Sequence, residues 1–391
     1  MPKTIAITPS WYWPAGIPRV MGIPPFSLFE LCIERNYRDR PDEPLLFAGG
    51  TSMTARELRS EVVRGASALA ARAGPGGRVL MADDLTQQSV TWLFSALAAG
   101  LHVRVAPRGS DVPALASEFG AAITLDRPGA FEPGEDALPP PNGHLPDLRV
   151  AAVTLDSPRG PVEHSQRSLL AAALGLATFL DARPGRPWVA TVPLSRWEGL
   201  ASVILPLYLG SPLVLAPPGR DPEELVRAAT ERGAGFWFCD LDFAATLTRD
   251  ARKAVKDARR LFDAFLLSTP GMFDPDERRR VGKAFECPAL TVWGMPETGP
   301  VFAAHQSWYV DESIGIPVTN VHVVPAEPRS GAPIQALWEL VESAEVTVRT
   351  PGLMCGYAAG DQPGRFVDGR LRTGMLASSD ANGMVYLLGE Q

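Results

Sequence analysis

The chain has 391 residues, 46% of them hydrophobic and 21% charged, and a formal net charge of −7. These values describe a globular chain of two or three packed subdomains and exclude a disordered one. The acidic balance leaves no basic footprint for nucleic acid, no apolar run reaches membrane-spanning length, and the opening MPKTIAITPSWYWP lacks the charged-then-apolar order of a secretion signal, so a cytoplasmic location is expected.

Taken in chain order, residues 26–40 carry apolar groups at helical spacing and stop at Pro41 and Asp42. LLFAGG reads as a strand and turn. A helix is predicted over 54–73, with Thr54 as N-cap and Glu57 completing a capping box. RVLMA, HVRVA and AAITL read as strands, separated by helices over 87–99 and 111–119. Such alternation predicts an α/β layer with a mainly parallel sheet.

Residues 127–148 are rich in Pro and Gly and read as an exposed loop. A second series follows: VAAVTL, a helix over 166–180, PWVATVPL, a helix over 198–207, PLVLAPP, a helix over 222–232, GFWFC and FDAFLLS. From about residue 300 the pattern changes to short runs divided by turns, NVHVVPA, ALWELVE, AEVTVRT and MVYLLGE, which indicates a small β-barrel. The expected organisation is an α/β subdomain over 1–180, a second over 181–300 and a β-barrel subdomain over 301–391. Core positions follow from the periods: Leu28, Leu45, Val79, Leu97, Val192, Leu213 and Trp237.

Cys32, Cys239, Cys287 and Cys355 form no CxxC pair, so neither a zinc site nor a disulfide framework is expected. The five histidines build no HExxH motif or triad-like cluster. Only Lys3, Lys253, Lys256 and Lys283 are lysines.

Several ordered motifs carry a resemblance. The run PPFSLFELCIERNYRDRPDEPLLFAGGTSMTARELRSEV is similar to the opening helix, strand and "LTYREL" helix of fatty acyl-CoA ligases. WGMPETGP (Trp293–Pro300) resembles "YGMTETGP", ESIGIPVTNVHVV (Glu312–Val324) resembles "GSIGIPLPNVEV", and VRTPGLMCGY through RTGMLASSDANGMVYLLGE resembles the "VRGP.VMKGY…RTGDLA" stretch. Together they resemble the large N-terminal part of the adenylate-forming superfamily, which includes acyl-CoA synthetases, peptide-synthetase adenylation domains and luciferases. That resemblance implies two α/β subdomains and a β-barrel. It also implies activation of a carboxylate with ATP to an acyl-adenylate and transfer to a thiol, often coenzyme A.

The parts this chemistry needs are altered here. The Gly-rich phosphate loop shrinks to Asp156-Ser157-Pro158-Arg159-Gly160, with Pro158, Arg159 and Gly160 laid on the family's "PKG", and 154–164 reads as a plain strand-to-helix connection. The adenine segment is Ser268-Thr269-Pro270-Gly271. Met375 stands where an aspartate grips the ribose hydroxyls, and a thioether cannot accept two hydroxyl bonds. The sequence stops at Gln391 near the family's hinge, so the mobile C-terminal lid domain with its lysine is expected to be absent.

The sequence therefore predicts a degenerate member that has lost ATP and magnesium, with no cofactor and no ATP–pyrophosphate exchange. It is expected to act on an acyl or aryl group, or on its coenzyme A or carrier-protein thioester. The alternatives are a carboxylate ligase completed by a partner chain, and a pseudoenzyme that pairs with an active ligase or with itself. The candidate catalytic residues are Glu297, at the family's magnesium-binding position, and Arg196, which replaces the histidine of "PLFH..GL". Arg196 either pairs with Glu198 or another carboxylate, or takes an anionic ligand group. Trp197, Trp293, Gly294 and Gly199 are the candidate substrate-binding residues. Glu297 in an apolar setting beside Arg196 is suited to act as an acid or base, and Glu297→Gln and Arg196→Ala are expected to spare the melting temperature.

Overall fold

The computed structural model of the chain describes residues 13–126, 147–216, 219–269, 271–334, 341–360 and 362–391. Residues 127–146 of the expected loop, Pro270 and most of ALWELVE lie outside them.

The first sheet runs in the order Gly356–Tyr357, Val162–Ser165, Ala151–Leu155, His102–Ala106, Arg78–Ala82 and Ile123–Leu125. Its last four strands pair in parallel. Val79, Val103 and Val153 are fully buried, as expected for parallel strands covered on both faces. The helix Ala55–Ala73 packs nearby and carries the expected capping box: Thr54 Oγ1 accepts from the Glu57 N–H, and the Glu57 carboxylate accepts from the Thr54 N–H at 2.7 Å.

The second sheet has nine strands among the described residues. Its order is Ile316–Pro317, Gly299–Ala303, Ala289–Met295, Ala264–Ser268, Phe236–Asp240, Trp188–Ala190, Leu213–Leu215, Pro44–Ala48 and Thr51–Thr54. The register is parallel from Ala289–Met295 to Pro44–Ala48. Two segments cross the boundaries drawn from sequence. The hairpin at 44–54 joins this sheet rather than the first, because Pro44–Ala48 extends the ladder of Leu213–Leu215. Gly299–Ala303 and Ile316–Pro317 continue it antiparallel past residue 300. The third sheet is an antiparallel half-barrel of His322–Ala326, Val341–Arg349, Arg370–Ser379, Phe366–Val367 and Val385–Glu390. All seven core positions named from periodicity are buried. None of the described helices is long and apolar enough to cross a membrane.

The second and third sheets meet at Gly315. The Ile314 and Val385 N–H groups donate to the Val385 and Gly315 carbonyls at 2.9 and 3.0 Å. Gly315 has φ +99°, and a Cβ there would sit 1.9 Å from the Ala303 carbonyl oxygen. Gly315→Ala is expected to cost more than about 2 kcal/mol, through strain and displacement of this joint. Urea unfolding of the variant measures it, and an unchanged midpoint would show that the joint yields freely.

Candidate active site

All three sheets contribute to one cleft, which holds about 780 Å³ of space open to solvent. The turn after Ala151–Leu155 supplies Asp156, Pro158 and Arg159. The start of the helix Trp197–Leu209 supplies Arg196, Trp197 and Glu198. The end of Ala289–Met295 and the turn beyond it supply Trp293 to Glu297, and the half-barrel supplies Met375 and Glu390. Loops at strand ends have no ladder partner to satisfy and are free to present side chains.

The segment 154–164 is not the plain strand-to-helix connection expected. It is a hairpin whose strands Ala151–Leu155 and Val162–Ser165 pair antiparallel. Ser157 closes the turn, its hydroxyl donating to the Gly160 carbonyl at 2.7 Å. The Asp156 charge is matched by Arg104, 2.9 Å away. Arg159 reaches across the cleft mouth: Nη2 donates to the Thr373 carbonyl at 2.9 Å, and Nη1 lies 3.8 Å from Glu297.

Glu297 is wholly buried. Its Oε1 accepts from the Tyr357 hydroxyl at 3.1 Å and faces Arg159 and, at 4.0 Å, Arg365. Its Oε2 has no hydrogen-bond partner, and neither do Nε and Nη2 of Arg365. Burial raises the Tyr357 phenol, and Arg365 opposes it. The backbone fixes the carboxylate in place. The Met354 N–H donates to the Glu297 carbonyl at 2.8 Å, and His164 Nε2 donates to the Pro296 carbonyl at 2.6 Å. The strand approaches its neighbour so closely that a Cβ at Gly294 would meet the Gly299 oxygen at 2.1 Å. The apolar setting expected for Glu297 is therefore an ionic one, because two arginines and a tyrosine enclose the carboxylate.

Arg196 lines the same cleft but is not the partner of Glu297. It holds Glu198 with two bonds of 2.7 and 3.2 Å and Asp240 with one of 2.8 Å. Of the two roles open to it from sequence, the structure shows the carboxylate pairing. Burial raises the Glu198 carboxyl, and Arg196 counters that shift. The preceding turn hangs on Asp83, at the end of the first sheet, whose carboxylate accepts from the Leu194 and Ser195 N–H groups at 2.9 and 2.8 Å. Gly199 sits behind the cleft wall rather than on it. A Cβ there would lie 1.8 Å from the Pro193 oxygen, so glycine is required for the packing of the turn on the helix. Trp197 and Trp293 both line the cleft.

On the half-barrel, Met375 stands opposite Glu390 in the strand register, and both line the cleft. The buried Glu345 carboxylate accepts from Arg372 and from the Gly374 N–H, fixing the turn that leads to Met375. Ser268, in the short segment laid on the adenine site, is buried and donates to Asp240 at 3.3 Å.

Sequence reading missed Tyr357, Arg365, Asp240 and Glu390. Tyr357 lay inside the motif LMCGY, which was quoted for its likeness alone. Glu390 likewise lay inside the quoted stretch ending MVYLLGE, and nothing local marked Arg365 or Asp240. Among the described residues no group of three or more His, Cys, Asp or Glu is placed to hold a metal ion.

The family model described as "AMP-binding enzyme" matches residues 158–358, more than half of the chain, from the phosphate-side turn to the segment that carries Tyr357. The chain belongs to the AMP-binding enzyme family. No curated protein sequence matches it. Among solved structures it resembles ATP-bound MatB from Rhodopseudomonas palustris, with 18% identity and a TM-score of 0.80 over 93% of this chain and 79% of that one. It also resembles a putative long-chain-fatty-acid CoA ligase from the same organism, with 17% identity and a TM-score of 0.80 over 93% and 99% of the two chains. A third is o-succinylbenzoate CoA synthetase from Bacillus subtilis bound to a product analogue, with 16% identity and a TM-score of 0.80 over 92% and 78%. These likenesses establish the adenylate-forming fold. The expectation that the chain uses no cofactor, with ATP and magnesium lost, is overturned by its membership of an AMP-binding family whose fold is also found with ATP bound.

The ion pairs change what substitution at Arg196 does to stability. Arg196→Ala strands the buried Glu198 carboxylate, so it is expected to destabilise by roughly 3 kcal/mol rather than spare the fold. The double variant Arg196→Met/Glu198→Gln is expected to lose less. Chemical denaturation of both variants checks this, and equal stability of Arg196→Ala and the parent chain would refute it.

A second expectation concerns acid. Burial holds the His164 imidazole down to about 4, against an opposing bond to Pro296, and burial together with Arg78 holds His102 at about 4. Both folded values lie below the ordinary one, so the unfolded chain takes up these protons first. Their stabilisation is complete above about pH 6.5 and is lost as pH falls toward about 4, by roughly 1–3 kcal/mol for each histidine. Urea midpoints measured from pH 7.5 to 4.5 are expected to fall, and to fall less steeply in His164→Gln.

Proposed function

We propose that the cleft activates a carboxylic acid, with the acid against Trp197 and Trp293 and an adenine nucleotide on the side of Arg159, Glu297 and Glu390. The observation that carries this reading is the set of buried polar atoms left without a hydrogen-bond partner, Glu297 Oε2 and Arg365 Nε and Nη2, the last held only in a 4.0 Å ion pair with Glu297 Oε1. An unmet buried polar atom is costly, and a carboxylate oxygen beside open guanidinium N–H groups suits a polar ligand that brings both a cation and anionic oxygens.

The residues present fit a magnesium-bound nucleotide on that ground. Arg159 and Arg365 would face phosphate oxygens, and Glu297 Oε2 would face the ion. When bound, the nucleotide supplies an electrophilic phosphorus for the acid and pyrophosphate as leaving group. Arg159 and Arg365 would stabilise the negative charge that develops, as donors already fixed in place. Glu297, tethered at Oε1 by Tyr357, keeps the two like-charged guanidinium groups together. The tryptophan wall shields the acid from solvent. A thiol, of coenzyme A or of a carrier protein, is the acceptor proposed for the acyl group.

Magnesium-ATP is expected to raise the melting temperature of the chain, since a ligand that binds only the folded form stabilises it. Glu297→Gln and Arg159→Ala are expected to weaken that binding about tenfold or more. A panel of short, branched and aromatic acids should then give acid-dependent pyrophosphate release. No shift with nucleotide and no release with any acid would overturn the reading.

A further inference from the structure

A second pocket lies apart from the cleft. The helices Ala55–Ala73 and Gln87–Ala98 pack on each other, and with Met53 of the edge strand Thr51–Thr54 they enclose a pocket of about 280 Å³. None of the residues that line it borders the cleft.

The two helices touch at Gly65 and Ser95, where a Cβ on Gly65 would lie 2.4 Å from Ser95 Oγ. Ser95 is fully buried and lines the pocket, yet its hydroxyl has no hydrogen-bond partner. The Gly65 backbone beside it lies in a helix interior, where N–H and C=O groups are engaged with one another. An unmet buried hydroxyl is costly, and the pocket is the side from which a partner can come.

Two neighbours add acceptors. Thr91, one turn before Ser95, donates its hydroxyl hydrogen to the Gln87 carbonyl at 2.8 Å and keeps only lone pairs to offer. Glu61, one turn before Gly65, brings a carboxylate, to whose Oε1 Arg64 donates at 3.0 Å from outside the lining. No lining residue is basic, and Trp92 and Met53 supply apolar surface.

We infer that this pocket binds a small aliphatic amine. An ammonium group is a compact set of three donors, which matches the oxygens of Glu61, Thr91 and Ser95. The carbon chain lies on Met53 and Trp92, and an indole face also attracts a cation. The site is independent of the cleft and of the activity proposed there.

The test is isothermal titration calorimetry with n-butylamine and with n-butanol, which has the same carbon chain and a hydroxyl in place of the ammonium. Butylamine is expected to bind, and butanol to bind about tenfold more weakly or less, because charge-assisted hydrogen bonds are the stronger ones. Glu61→Gln and Ser95→Ala are each expected to weaken butylamine about fivefold or more, whereas Glu297→Gln in the cleft is expected to leave its affinity unchanged. Near-ultraviolet circular dichroism identifies any variant that fails to fold, and Thr91→Val, which keeps the side-chain shape and removes the lone pairs, then takes its place. Equal binding of butylamine and butanol would overturn the amine assignment. Folded pocket variants with the parent affinity, or a loss caused by Glu297→Gln, would overturn the location. No binding of butylamine at millimolar concentration would show that the Ser95 hydroxyl faces water alone and would overturn the site.

Discussion

A carboxylate without access to water needs compensating charge, and Glu297 obtains it from segments far apart in the chain. Arg159 comes from the hairpin turn of the first sheet, and Tyr357 and Arg365 come from the stretch that leads into the half-barrel. The turn that carries Glu297 is itself held by His164, at the Pro296 carbonyl, and by the Met354 N–H. Removing any one charge from such a buried set leaves the others uncompensated. The meeting of the three sheets at the cleft is therefore bound up with one buried ionic group. The hydrogen bonding is also incomplete, since Oε2 of Glu297 and two nitrogens of Arg365 have no hydrogen-bond partner. A cluster that is half satisfied is a poor structural device and a suitable ligand site.

The opposite wall works differently. Arg196 is held by Glu198 and Asp240. It fixes the start of the helix that carries Trp197 while Asp83 fixes the turn before it. One wall presents open polar atoms and the other an immobilised aromatic face. That division of labour is what a site needs if it is to bind a charged cosubstrate beside an apolar acid.

Much of the fold was legible because local signals agreed with the global one. Thr54 and Glu57 announce the cap of their helix, and alternating apolar runs announce the strands and the core positions from Leu28 to Trp237. Sheet membership was not legible. The hairpin at 44–54 lies early in the chain but pairs with Leu213–Leu215, and long-range pairing leaves no trace in periodicity. Val162–Ser165 was also missed, being short and polar at Glu163 and His164. In the site, Glu297, Trp293, Trp197 and Arg196 were named from motif positions, and the structure brings all four to one cleft. Their partners were not readable, because an arginine at 365 or an aspartate at 240 resembles any surface charge until the fold carries it inward. Gly199 was read as a binding residue and is instead a packing necessity. The reading of a stripped nucleotide site erred by comparing motifs residue by residue. That comparison registered the altered nucleotide motifs but had no means of seeing Arg365 beside Glu297 or Glu390 opposite Met375.

The most direct measurement is amide hydrogen exchange of the chain with and without magnesium-ATP, since protection reports where a ligand closes the backbone against opening. The expected result is slowed exchange confined to the turn 156–160, to the segment 293–297 and to the strand segments at Met375 and Glu390. Protection elsewhere on the molecule, or none at saturating nucleotide, would contradict the assignment of the Glu297 cleft as the nucleotide site.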